Sequence, residues 1–211
     1  MNILRRNKAS KRPIIGINKA WRRAKLTFLY IDLIYRLRSQ DVGAVDATGV
    51  LAQAFDKSFE EGLPIVRWIS DEASKALQTM EKALRSGVRE YKIATIADKV
   101  LDENGIIDRW FSTIVASGPR ASAPHAKTST RRISPGDPVV VGLEPIWMGY
   151  DGCIAYTFIV GQNAYWERIL EDMVEVIRAG LEQMKPGTPA RVLDEVSLKL
   201  SGSAATQTTH T

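Results

Sequence analysis

The chain has 211 residues, 45% hydrophobic and 25% charged, with 15 Gly and 9 Pro, a composition that buries a core and excludes disorder over the whole length. One Cys, Cys153, excludes a disulfide framework and any multi-Cys zinc or iron–sulfur centre, and two His, His125 and His210, exclude a His-rich metal site. The net charge of +5 is uneven: residues 1–25 hold nine basic side chains (Arg5, Arg6, Lys8, Lys11, Arg12, Lys19, Arg22, Arg23 and Lys25) and no acid, leaving 20 basic against 24 acidic residues in the remainder.

A basic arm over residues 1–25 suits RNA, the ribosome or an anionic membrane, because each phosphate it neutralises releases counterions. The same acid-free, Arg-rich composition fits an organellar transit peptide, or a solvated tail with no dedicated partner. The apolar run at residues 26–35 is broken by Asp32 and is about half of what a membrane span needs. No transmembrane segment is expected, and the expected compartment is the cytoplasm.

In chain order, the spacing of Leu26, Phe28, Leu29, Ile31, Leu33, Ile34 and Leu37 predicts a helix to about Arg38, apolar around most of its circumference and therefore packed. A second helix is expected over Asp46–Glu60, with Val50, Leu51, Ala54, Phe55 and Phe59 inward, stopped by Glu61, Gly62 and Pro64. Both belong to a lead-in over residues 26–69. Ser70 reads as the N-cap of a third helix with Asp71 and Glu72 in its first turn and Ala73, Leu77, Met80 and Leu84 as its stripe. Glu90–Glu103 follows as a fourth, with Ile93, Ile96, Ala97, Val100 and Leu101 on one face and Asn104-Gly105 as its stop.

Ser112–Ala116 is rich in strand formers, and a polar loop at residues 117–134 carries His125. Pro138–Gly161 reads as a hairpin, with Asp151-Gly152 as the strongest turn signal among residues 149–152. Ala164–Met184 is a long amphipathic helix with Ile169, Met173, Val176, Ile177 and Leu181 inward, halted by Lys185-Pro186-Gly187. Another helix begins at Ala190 and is expected to fade at Leu200 into a disordered Ser/Thr-rich tail over residues 201–211. Helix–Gly87–helix thus recurs as helix–Gly187–helix, while the strands that follow the first copy have no counterpart after the second.

Ser117-Gly118-Pro119-Arg120, Pro124-His125, Pro135-Gly136-Asp137, Gly149-Tyr150, Ile159-Val160-Gly161 and Lys185-Pro186-Gly187, in this order, resemble the pita-bread metallopeptidases: methionine aminopeptidase, aminopeptidase P and prolidase, with the metal-free enzyme creatinase. The resemblance covers residues 70–200 and is nearest to aminopeptidase P and prolidase. It implies an α+β fold, here its first half, in which helices pack on a curved antiparallel sheet.

The resemblance further implies two divalent ions, such as Mn, Co or Zn, held by two Asp on the hairpin and by one His and two Glu from the second half. Hard anionic oxygens suit that role because they neutralise two adjacent cations that activate a bridging water. The positions matching the two Asp are Gly142 and Cys153, and the other three would lie beyond residue 200. No cofactor is therefore expected in this chain. His125 matches the loop His that contacts substrate in the peptidases and transfers protons in creatinase, a task suited to imidazole.

The expected function is that of a Xaa-Pro peptidase homologue, incomplete near residue 200 and without two-metal hydrolysis, which would turn over peptide only if a missing half were supplied. A non-catalytic scaffold binding RNA, the ribosome or a protein through the basic arm is the alternative, and a metal-free creatinase-like hydrolase a third. A half sheet would also leave a face and an edge uncovered around Val139, Val141, Ile146 and Phe158, so self-association as a twofold dimer is expected.

Overall fold

The computed structural model describes residues 14–17, 27–47, 49–50, 53 and 60–208. The chain divides into two compact units, Met1–Glu60 and Glu61–Thr211. In the first, strand β1 (Ile14–Ile17) pairs in parallel with β2 (Gly43–Asp46), from Ile14 opposite Gly43 to Ile17 opposite Asp46. Parallel neighbours require a crossover, and helix α1 (Thr27–Ser39) supplies it.

Three expectations change in this unit. The stretch read as a continuous basic arm contains a strand, Ile14-Ile15-Gly16-Ile17, and its nine basic residues all lie outside the described residues. Among the described side chains of α1, Ile34 and Leu37 are half-buried, whereas Leu33 and Tyr35 are exposed. Asp46 closes β2 instead of opening a helix. Of the helix expected there, Gly49, Val50 and Gln53 are helical and the inward residues Leu51, Ala54, Phe55 and Phe59 lie outside the described residues.

The second unit opens with α2 (Leu63–Ala83), which has Pro in its first turn. Pro64 therefore starts this helix where it was expected to stop the preceding one, as suits a residue with no N–H to leave unpaired. Ser70 lies inside the helix and provides no cap; its carbonyl accepts from Ser74 Oγ one turn later. Helix α3 (Glu90–Glu103) has the expected bounds. Ile69, Ala76 and Met80 of α2 and Ile93, Ala97 and Leu101 of α3 are fully buried and form one core with Val115, Val139, Val141 and Leu143.

Those last four belong to a three-stranded antiparallel sheet in the order β4 (Ile114–Ser117), β5 (Pro138–Leu143), β8 (Ile154–Ile159). The face carrying Val139 and Val141, expected to be bare, is thus covered by α2 and α3, and Phe158 packs against the same core. Among the described residues β4 and β8 are the two edges, each paired with β5 alone. A second small sheet joins β3 (Asp108–Arg109), β6 (Pro145–Trp147) and β7 (Tyr150–Asp151).

The β6–β7 turn is Met148-Gly149, with φ of +52° and +85°, the backbone of a two-residue primed turn. Asp151, expected in the turn, instead pairs with Ile146, and Gly152 N donates to the Pro145 carbonyl at 3.0 Å.

Helices α4 (Ala164–Gln183) and α5 (Ala190–Thr208) form a second hairpin. Gly87 and Gly187, at the two hairpin turns, share φ values of +85° and +88°, so the repeat read from the sequence extends to the turn geometry. Helix α5 continues through Ser201 to Thr208 in place of the expected disordered tail, because Ala204, Ala205 and Gln207 sustain a helix that Ser and Thr only weaken. Of the expected inward face of α4, Ile169, Met173 and Val176 are half-buried but Ile177 and Leu181 are exposed.

Candidate functional site

The loop between β4 and β5 is held by one carboxylate. Glu90 opens α3 on the stripe that Ile93, Ala94, Ala97 and Leu101 continue into the core, and it is fully buried. Its Oε1 accepts from Ser117 N and Ser117 Oγ, both at 2.8 Å. Its Oε2 accepts from Ser129 N at 2.9 Å, from Ser129 Oγ at 2.6 Å and from Arg120 Nη1.

Burial alone pushes the Glu90 carboxyl up, but hydrogen bonds from the side chains and backbones of Ser129 and Ser117 outweigh it and hold the group below the usual carboxylate value. Glu90 thereby ties together Ser117 and Ser129, the two ends of the loop that carries His125.

A second tie adjoins the first. Arg131 Nη1 donates to Ser117 Oγ and to Asp137 Oδ2, both at 2.6 Å, while Ser134 N donates to the same Oδ2 at 2.7 Å. Asp137 therefore shapes the turn into β5, as its sequence context implies. Gly118, at φ +56°, lies so close that a Cβ there would approach Arg131 Nη2 and Asp137 Oδ1 to 2.7 Å, so another residue would be strained in its backbone and would push the Arg131–Asp137 pair aside.

His125 is exposed and sits at φ +54°, a left-handed conformation rare for a non-glycine residue. Its ring lies 6.1 Å from that of Phe111, tilted by 56°. Phe111 also borders Gly142: a Cβ on Gly142 would meet Phe111 Cε2 at 3.8 Å and Ile114 Cβ at 3.6 Å. Gly142 pairs with Ala155, two residues along from Cys153, which makes positions 142 and 153 diagonal neighbours across the hairpin, about 7–8 Å apart. Phe111 thus lies beside both His125 and Gly142, and position 153 stands diagonally across the β5–β8 pair from Gly142. His210 lies outside the described residues.

The residues at these positions do not fit a pair of divalent cations. Gly142 offers no side-chain ligand, and a Cβ there would sit in ordinary contact with the apolar Ile114 and Phe111. At Cys153 burial raises the thiol pKa, and the negative charges of Glu144 and Asp151 raise it further; a single sulfur there also lacks the second ligand atom with which a carboxylate bridges two hard cations. Among the described residues no group of three His, Cys, Asp or Glu side chains is placed to hold a metal ion. Trp147 packs edge-to-face on Trp68 of α2 at 5.5 Å and Tyr150 lies against Gly62, so both serve packing.

The profile of metallopeptidase family M24 matches residues 66–208. The chain belongs to this family. Over 142 residues, 67% of its length, it is 31% identical to a Xaa-Pro dipeptidase of Pyrococcus furiosus, of which the match spans 41%. It superposes on the prolidase structure from the same organism with a TM-score of 0.81 and 25% identity, covering 90% of this chain and 55% of that one.

An X-Pro aminopeptidase structure from Thermotoga maritima shares the fold with a TM-score of 0.73 at 22% identity, covering 82% of this chain and 50% of that one. The chain spans about half the length of the relatives it matches. As an M24 member it carries the α+β architecture, with antiparallel sheets under paired helices, that the ordered motifs imply. No described helix is long and apolar enough to cross a membrane.

The Glu90 network was not foreseen from the sequence. An acid in a first helical turn reads as solvated, but Glu90 lies at the head of the buried stripe, three and four residues before Ile93 and Ala94. A charge on the apolar face was the available signal.

Proposed function

We propose that this chain is a member of the Xaa-Pro peptidase lineage that does not carry out two-metal hydrolysis. What supports the reading is the pair Gly142 and Cys153, the hairpin positions that the resemblance matches to the family's two Asp. A glycine offers no ligand atom, and one thiol in place of a carboxylate cannot neutralise and bridge two cations. Both positions lie inside the described hairpin, so the length of the chain does not enter.

What the chain keeps is the pinned loop, with His125 exposed at its tip beside Phe111, a shape suited to holding a peptide without cleaving it. Hydrolysis of Xaa-Pro dipeptides with Mn²⁺ or Co²⁺ tests the reading. No turnover is expected, and metal-dependent turnover at stoichiometric ion contradicts it. Metal-independent activity abolished by His125→Ala would favour the creatinase-like reading instead.

The charge asymmetry supports a second role, RNA or ribosome binding by the basic N-terminal residues. Because β1 lies within that stretch, deletion would remove a strand, and charge neutralisation is the cleaner test. Replacing Arg5, Arg6, Lys8, Lys11 and Arg12 with Gln is expected to lower RNA affinity. For single-stranded RNA the salt dependence should flatten by about 0.7 log unit for each phosphate no longer neutralised. Unchanged binding contradicts the role.

A further inference from the structure

The turn between α2 and α3 sets two arginines side by side. Arg89 and Arg132 form an isolated antiparallel bridge, flanked by Glu90 N donating to the Arg131 carbonyl at 3.0 Å and Ile133 N donating to the Val88 carbonyl at 2.8 Å. That pattern is the non-hydrogen-bonded kind, in which paired Cα atoms stand about 4.5 Å apart and both side chains leave on one face. Like charges placed directly opposite destabilise a pair. Neither arginine has an ion-pair partner among the described residues. A local rule broken without compensation in the fold points to a functional surface.

Both guanidiniums are held by backbone. Arg89 Nη1 donates to the Thr130 carbonyl at 2.6 Å and Arg132 Nη1 to the Gly87 carbonyl at 2.9 Å, so the two leave the bridge in opposite directions along the strands. Each spends one of five N–H donors there and keeps the others for a ligand.

They line a groove of about 370 Å³ together with Arg85, two residues before Gly87, and Lys92, one helical turn after Arg89. No acidic residue lines it, and all its residues lie within the second unit. The buried Ile93 and the half-buried Val88 and Ile96 make an apolar floor. Tyr91 adds a ring that is 39% exposed, with Lys92 Nζ 5.3 Å from its centroid.

This arrangement selects the ligand. Diverging guanidiniums do not close on a single phosphate; with Arg85 toward one end and Lys92 toward the other, they match anions in series. Planar guanidinium forks suit phosphate oxygens. An apolar floor beside an aromatic ring takes bases, which an acidic peptide lacks and a duplex keeps stacked inside. We propose that this groove binds single-stranded nucleic acid, with successive phosphates on its four cations and a base against Tyr91. The ligand class is that of the RNA reading above, but the residues are different and neither site requires the other.

Fluorescence anisotropy of a labelled single-stranded RNA of about 12 nucleotides, titrated with the full chain at several salt concentrations, is the test. Lys92→Gln with Arg132→Gln, both at exposed positions, is expected to weaken binding about tenfold or more at low salt. The salt dependence should flatten by about 1.4 log units, about 0.7 for each phosphate no longer neutralised. Tyr91→Ala should weaken binding about fivefold or more and leave the salt dependence unchanged.

Unaltered affinity in these variants would overturn the proposal, and so would no binding by the unaltered chain. A lowered thermal midpoint in Arg132→Gln with unaltered RNA affinity would assign that side chain to the fold alone, with the same consequence. Displacement of the RNA by polyglutamate of equal charge would replace nucleic acid by an acidic protein, and tighter binding of a duplex would remove the role of the floor; either overturns the proposal. Neutralising the N-terminal cations separates the two sites. If that change alone weakens binding, the groove falls and the N-terminal reading stands; if the groove variants alone weaken it, the groove stands and the N-terminal reading falls.

Discussion

Glu90 accepts five hydrogen bonds, and it does so in the core. A buried charge is tolerated only when donors replace the water it loses, and two seryl hydroxyls, two backbone N–H groups and Arg120 do so. Removing it would strand those donors. Glu90→Ala is expected to cost about 3–5 kcal/mol, measured by urea denaturation, and Glu90→Gln less, since an amide oxygen still accepts.

The pH dependence follows from the lowered carboxyl. Its contribution to stability is complete above the unfolded value of about 4.3 and is lost as pH falls through the lower folded value. Glu90→Gln should therefore flatten the acid limb of the stability curve and leave its neutral limb parallel to that of the unaltered protein. An acid limb identical in both would show that other carboxylates carry it. The loop readout separates pinning from bulk stability: exchange of amides 118–128 should rise in Glu90→Gln well before global unfolding.

Among the elements, those legible in the sequence had both an apolar period and an end signal. Glu90–Glu103 had a stripe and Asn104-Gly105, and its bounds agree residue for residue. Where punctuation was ambiguous the reading failed. Pro64 serves equally to stop one helix or start the next, and Ser70 competed with it for the same start. Asp151-Gly152 outranks Met148-Gly149 on turn chemistry, but register decides: Trp147 opposes Tyr150, and only Met148 and Gly149 lie between them.

Met148 therefore occupies a left-handed position its side chain disfavours, while gaining nothing from burial at 76% exposure. Met148→Asn is expected to stabilise the second unit by about 1 kcal/mol, seen as a raised thermal midpoint. A lowered midpoint would mean that Met148 packs against a partner.

For the whole molecule, the motifs and the repeat of Gly87 at Gly187 were sufficient to place the chain in the M24 family, because they depend on local turns whose φ values the structure reproduces. The site was legible only in part. Gly142 and Cys153 could be matched to family positions, but the apolar neighbours Phe111 and Ile114 beside Gly142, and the acids that raise the Cys153 thiol, arise from the folded arrangement. On the proposed reading this hairpin does not assemble a two-metal centre. Counting bound Mn²⁺ by the loss of the free-ion electron paramagnetic resonance signal tests it most directly. The signal is expected to stay that of free Mn²⁺ at stoichiometric protein, and two ions bound tightly per chain would overturn the proposed reading.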